Sequence, residues 1–271
     1  IVLMAGGRFS RRQTDGDHPF GLYRAKYLAS FVVATLLFFV GGFFSTSEAV
    51  KKLIAIVEHP ALRDVNRMEL LVAFVVVVIS AVLEGYGLHQ SVKEANERMD
   101  RTDTPRMGMF RFWRHTKSAE LASVIMEDTL ALIGLGFAGG GIGLAILLDN
   151  EMFDALGGLM VGLVLIAGSL LLAFKSGSLL IGEAVEPDTR MKIVSAVTTT
   201  PGVERLLNMQ TVHMSEDDIL LCVKVQTSKL DRDYDVETVD KIEQAVRNAP
   251  PWYNFEIYVE PDIYSARHVQ A

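Results

Sequence analysis

Four stretches of the chain run apolar for too long to be one face of a soluble element. They extend from Tyr27 to Val50, Leu70 to Leu88, Leu121 to Leu148 and Ala155 to Leu180. A helix crossing a ~30 Å hydrocarbon core needs roughly 20 such residues, so all four are predicted to span a bilayer. After Glu186 the pattern breaks into short elements. Pro187 and Asp188 open a helix carrying Met191, Ile193, Val194 and Val197, which stops at Pro201 and Gly202. Two strand-like runs follow, Val203 to Met214 and Ile219 to Thr227, separated by the turn-forming residues Ser215 to Asp218. Asp235 is placed to cap a second helix with Val236, Val239, Ile242 and Val246 on its apolar side, and Phe255, Ile257 and Val259 alternate as a third strand. The predicted fold is an α-helical polytopic membrane domain over residues 1–185 and an αββαβ domain over residues 186–271, frayed beyond Asp262.

Composition agrees with a membrane protein. Half of the 271 residues are hydrophobic, and the mean hydropathy is +0.28. The single cysteine, Cys222, allows no internal disulfide and no thiolate cluster, so a bound metal would have oxygen and nitrogen ligands. The net charge of -7, with the basic residues beside apolar runs, points away from nucleic acid as a partner. Those basic residues set orientation instead. Arg8, Arg11 and Arg12 precede the first span, and Lys93, Arg98, Arg101, Arg106, Arg111, Arg114 and Lys117 lie between the second and third. Both regions are predicted to be cytoplasmic, which also places the αββαβ domain in the cytoplasm. The opening residues Ile1 to Gly7 read as the end of a further apolar helix, and the sequence as truncated at its N-terminus.

Candidate chemistry is sparse inside the spans, which makes it informative, because a carboxylate at mid-bilayer costs roughly 2.5–3.5 kcal/mol on insertion scales. Asp128 lies ~15 Å into the third span, near the middle of the core. Glu127 is its neighbour, about 100° around the helix. Glu84 and Glu48 lie nearer span ends, and Asp154 is positioned to cap the fourth span. His213 with Glu216, Asp217 and Asp218 resembles a soluble metal cluster in composition, but adjacent carboxylates on a turn repel, and it reads rather as a solvated hairpin turn. Glu260 and Asp262 form an i,i+2 pair that would hold a divalent cation with help from elsewhere. The GLGFAG run from Gly134 to Gly139 matches a dinucleotide fingerprint, but no strand precedes it and it continues as an apolar helix. The glycine pairs Gly136/Gly140, Gly139/Gly143 and Gly158/Gly162 are predicted to mark close helix approach.

A set of motifs then carries a resemblance. His18-Pro19-Phe20-Gly21 and Arg24 precede a span, LEGYGL occupies Leu83 to Leu88, and MEDT Met126 to Thr129. FDALGGLMVGL runs from Phe153 to Leu163 and SLLIGEAVEPD from Ser178 to Asp188, ahead of the αββαβ pattern. The chain resembles the cation diffusion facilitators, divalent-metal/proton exchangers that include the zinc transporters. Its wording is similar to the branch holding the mitochondrial zinc-transporter member and many bacterial relatives. The resemblance implies six spans, of which the third to sixth are complete here and Ile1 to Gly7 ends the second. It implies a homodimer in the lipid bilayer, here of a bacterial cytoplasmic membrane, with both termini cytoplasmic.

It further implies a metal site built from the second and fifth spans. Asp128 matches the fifth-span Asp, but the family's usual ligand four residues earlier is replaced by Val124, leaving Glu127 as a substitute and Glu84 as a further candidate. In the soluble domain the positions that often carry histidines hold Leu207, Val223 and Val236, and only Glu260 and Asp262 fall where ligands are expected. A charge interlock between Arg24 and Glu183 is also implied. The implied activity is export of Zn²⁺, or of Mn²⁺ or Fe²⁺, in exchange for protons, with no enzymatic reaction and no resident cofactor. The alternative is a non-transporting partner that dimerises with an active relative and regulates it.

Overall fold

The computed structural model describes residues 17–58, 67–102, 105–228 and 232–263. The apolar stub at Ile1 to Gly7, Arg8, Arg11 and Arg12, most of the first interspan loop and the tail beyond Ile263 lie outside the described residues. The chain divides into two compact units, residues 1–177 and 178–271.

The first unit is helical. Among the described residues, four helices are long and apolar enough to cross a membrane: α1 (Ala25–Glu58), α2 (Arg67–Arg101), α4 (Ala119–Leu148) and α5 (Met152–Ile181). Each contains one of the four predicted spans. A further helix, α3 (Met109–His115), fills part of the arginine-rich segment between α2 and α4, to which the sequence pattern assigned no element. Within α1, Leu37–Phe43 winds as a π-helix, and Gly42 sits against α5 so closely that a Cβ would lie 3.1 Å from the Ile166 backbone nitrogen.

The α4 start is capped by Ser118, whose hydroxyl accepts from Leu121 N–H at 3.4 Å. Its end turns at Asp149, a non-glycine residue in the left-handed region (φ 51°). Asn150 Oδ1 then accepts from Met152 N–H at 3.0 Å and caps α5. The cap predicted for Asp154 therefore belongs to Asn150. Asp154, already inside the first turn, instead takes Lys52 Nζ at 2.7 Å, and Arg67 pairs with Asp149 at 3.2 Å.

GLGFAG is continuous α-helix, as its apolar setting predicted. Of the expected glycine pairs, Gly139 and Gly143 do meet α2, at Val77 and Phe74, and Gly158 meets Ala49 of α1, but the pair Gly136 and Gly140 needs correction. Gly136 and Gly140 have no atom within 4 Å of where a Cβ would stand. Gly141 of α4 and Gly157 of α5 approach backbone to backbone: a Cβ on Gly141 would lie 2.7 Å from the Phe153 carbonyl oxygen and 2.9 Å from Gly157 Cα. Gly162 does pack tightly, against Thr46 of α1.

The second unit holds α6 (Pro187–Thr198), β1 (Val203–His213), β2 (Asp218–Thr227), α7 (Arg232–Asn248) and β3 (Asn254–Pro261). This is the αββαβ order. The sheet runs β1-β2-β3, antiparallel between β1 and β2 and parallel between β2 and β3. Alternation along β2 sends Ile219, Leu221, Val223 and Val225 into a core completed by Ile193, Val197, Ile242, Val246 and Phe255. Met191 and Val236, assigned to apolar helix faces from sequence, are exposed. The buried stripes run through Thr189, Ile193 and Val197 on α6 and through Thr238, Ile242 and Val246 on α7. Met191 and Val236 lie two residues off those stripes, about 200° around the helix.

Candidate metal site of the membrane unit

Glu84, Gly87 and Ser91 of α2 are spaced i, i+3, i+7, within about 60° of one another on the helix surface. This stripe faces Asp128 of α4. Ser91 Oγ–H donates to Asp128 Oδ2 at 3.1 Å, and a Cβ on Gly87 would stand 3.5 Å from the same oxygen. The missing side chain at Gly87 thus leaves room beside the carboxylate, and Ser91 fixes its orientation. Asp128 lies about 15 Å along α4 from its capped end. Glu127, next to Asp128, is half-buried, and among the described residues its Oε1 has no hydrogen-bond partner.

Three carboxylates of the two helices therefore share one region, and two hydroxyl or glycine positions organise it. Among the described residues, however, no three His, Cys, Asp or Glu side chains converge closely enough to hold a metal ion. The ligands that the resemblance assigns to the second span are not among the described residues. Glu48 is exposed.

A serine knot, absent from the sequence reading, holds this part of α4 in place. Ser123 of α4 hydrogen-bonds Ser30 of α1, and Ser176 of α5 donates to Ser30 Oγ at 3.0 Å. All three are buried. Buried hydroxyls are satisfied only in one mutual arrangement, so the knot sets the rotation of α4, five residues before Asp128. The signal was present as three small polar residues in otherwise apolar spans.

In the soluble unit, Glu260 and Asp262 both engage Lys224 Nζ, at 3.0 and 3.1 Å. The two carboxylates do come together, but around an ammonium group. The hydrogen bonds that Lys224 donates to Glu260 and Asp262 raise its pKa above the ordinary value. The raised folded-state value means that the interaction is fully present below pH ~10.4 and is lost as pH rises further. Thermal unfolding of the full chain should therefore weaken more steeply as pH rises above ~10.4 in the parent than in Lys224→Met.

His213 is a correction. Instead of lying on a solvated turn it is fully buried. Its Nδ1–H donates to the Ser215 carbonyl at 3.1 Å, its ring meets the edge of Tyr253 at 5.7 Å, and Nε2 stands 3.9 Å from Glu186 Oε2. The Ser215 hydroxyl organises the turn by accepting from Asp217 and Asp218 N–H at 3.2 and 3.1 Å. Parity with buried Met209 on β1 was the available signal, since residues four apart on a strand share a face.

Arg24 immediately precedes α1 in the first unit. Glu183, in the second, follows α5, and its carbonyl accepts from His213 N–H at 2.9 Å.

A family model described as the cation efflux transmembrane domain matches residues 1–181. The chain belongs to the cation diffusion facilitator family. The four long helices among the described residues are thus membrane helices of this transporter family. Among curated proteins, the chain is 27% identical over 213 residues to the mitochondrial proton-coupled zinc antiporter SLC30A9 of Xenopus laevis, covering 79% of this chain and 36% of that protein. The Homo sapiens protein of the same name is 25% identical over the same shares. Metal tolerance protein C4 of Arabidopsis thaliana is 27% identical over 215 residues, 78% of this chain and 44% of that one. The chain matches less than half the length of each of these relatives.

Proposed function

We propose that this facilitator is a divalent-cation/proton antiporter that moves Zn²⁺, and on the same ligand chemistry Mn²⁺ or Fe²⁺, out of the cytoplasm. The observation that carries this reading is Asp128, a mid-span carboxylate oriented by Ser91 beside the open position at Gly87. Such a group serves both halves of an exchange. It binds either the cation or a proton, and the arrival of one lowers affinity for the other. Glu127 is the second group of the site and Glu84 a third, so the proton equilibrium belongs to the cluster rather than to one residue. The names of the zinc-antiporter relatives support zinc as cargo. Oxygen-rich ligation leaves selectivity to geometry and metal availability. The direct test is metal-driven proton flux in proteoliposomes with Zn²⁺, Mn²⁺ and Fe²⁺ in turn; flux with none of them sinks the proposal.

The second reading, a non-transporting partner of an active relative, draws on Val124 and on the lack of a three-ligand cluster among the described residues. It predicts no flux from the chain alone and flux modulation when a relative is co-reconstituted. The working assembly on either reading is a homodimer or heterodimer in the membrane, with the αββαβ unit in the cytoplasm. A bacterial cytoplasmic membrane fits the sequence resemblance, and a mitochondrial membrane fits the names of the curated relatives.

The proposed interlock between Arg24 and Glu183 has its own test. An Arg–carboxylate pair shielded from salt is stronger than an exposed one. Glu183→Arg should lower the stability of the detergent-solubilised dimer by about 1–3 kcal/mol, the scale of a charge-assisted hydrogen bond. Adding Arg24→Glu should restore most of it. A double variant no better than the sum of the singles removes the interlock.

A further inference from the structure

Helix α3 (Met109–His115) has seven residues and two unlike faces. Phe112 and Trp113 point inward: Phe112 joins a buried cluster with Ala95 and Met99 of α2 and Leu121 and Ile125 of α4. Trp113 joins another with Ala34 of α1, Ala122 and Met126 of α4 and Leu172 of α5. At 100° per residue, Phe110, Arg114 and Arg111 occupy the opposite ~100° arc, and all three are exposed, Phe110 at 70%. Phe110 stacks on Trp113 with ring centroids 5.8 Å apart. Among the described residues neither Arg111 nor Arg114 has an ion-pair partner, whereas Arg106 nearby is held by Asp100 at 2.8 Å. Lys175 of α5 donates to the Arg114 carbonyl at 3.0 Å and so pins the helix by its C-terminal end, where a cation complements the dipole.

Position decides what this surface meets. Only residues 116–118 separate α3 from α4, a membrane-crossing helix, so α3 lies at the edge of the hydrocarbon layer on the lysine- and arginine-rich side. A cation pair flanking an exposed aromatic ring at that depth matches the polar-headgroup boundary. There phosphates are the available anions, and the ring can enter the acyl region below them.

We propose that α3 is a docking surface for anionic phospholipid headgroups, with Arg111 and Arg114 taking the phosphates and Phe110 the adjoining acyl surface. The proposal does not depend on which cation is transported. It has a functional consequence, because the inner face of α3 packs on α4, the helix that carries Asp128.

The chain has two tryptophans, so Trp252→Phe leaves Trp113 as a single reporter beside the proposed site. This variant is reconstituted into phosphatidylcholine vesicles with increasing fractions of dibrominated phosphatidylglycerol or dibrominated phosphatidylcholine, and tryptophan quenching is read. The anionic lipid should quench at lower mole fraction, with a preference of about fivefold per arginine, the equivalent of ~1 kcal/mol per basic residue at an anionic surface. Arg111→Gln with Arg114→Gln should remove the preference, and Arg111→Lys with Arg114→Lys should keep most of it. Equal quenching by the two lipids, or a preference unchanged in the Gln pair, overturns the proposal. Relief of quenching by inorganic phosphate, but not by chloride at the same ionic strength, overturns it in favour of a soluble phosphate ligand.

Discussion

On the proposed antiport, Asp128→Asn should abolish Zn²⁺-driven proton flux in proteoliposomes while leaving the protein folded. The amide keeps the volume and still accepts from Ser91 Oγ, which stands 3.1 Å from Oδ2, so the packing of α2 on α4 is preserved. On the proposed exchange, what disappears is the negative charge that would neutralise a dication and the site that would trade it for a proton. Loss of an outer hydrogen-bond partner of a metal ligand typically costs about 10–100-fold in affinity or activity. Removing the ligand itself should exceed that range and bring flux to background. Ser91→Ala is the graded companion, expected to fall within it. Flux within about twofold of the parent in Asp128→Asn would exclude this carboxylate from the transport path. A loss in Ser91→Ala larger than in Asp128→Asn would mean that the serine serves the helix contact rather than the carboxylate.

The spans and the domain order were legible because both rest on one-dimensional patterns. Length of apolar run marks a bilayer crossing, and a change from continuous to alternating hydrophobicity marks the soluble unit. Asp128 was legible for a related reason: a carboxylate amid apolar residues is conspicuous without any knowledge of packing. Its partners were harder to see. Ser91 carries no charge, lies beyond the apolar stretch at Leu70 to Leu88, and matters only because α2 turns that stripe toward α4. Helix α3 was hidden because seven residues give too short a period to register, and the arginines around it dominate the local pattern. His213 was misplaced by its acidic neighbours, although strand parity with Met209 put it on the core side. Glu260 and Asp262 were correctly seen as a pair. Their shared neighbour Lys224 sits on β2, opposite Glu260 in the register, and no local spacing could supply it.

Gly141→Ala should be among the most destabilising single-methyl additions in the membrane unit, whereas Gly136→Ala on the same helix should be nearly silent. Both positions lie in one glycine-rich run, and sequence spacing favoured Gly136. The difference lies in what a Cβ would meet. At Gly141 it would stand 2.7 Å from the Phe153 carbonyl oxygen and 2.9 Å from Gly157 Cα. These are backbone atoms, which cannot swing aside as a side chain can. Relief requires α4 and α5 to separate or rotate over their length, which loosens dispersion contacts on both sides of the seam. A cost of about 1–3 kcal/mol or more is the scale for forcing a methyl into a packed interior. At Gly136 nothing lies within 4 Å, so the change should stay within about 0.5 kcal/mol. Thermal unfolding of the two variants in the same detergent reads the difference directly. Because α4 also carries Asp128, Gly141→Ala should reduce metal-driven flux even below its melting temperature, by shifting the carboxylate relative to Gly87 and Ser91. Equal melting temperatures for the two variants would show that the helices meet elsewhere, and the seam at Gly141 and Gly157 would then not set the position of the site.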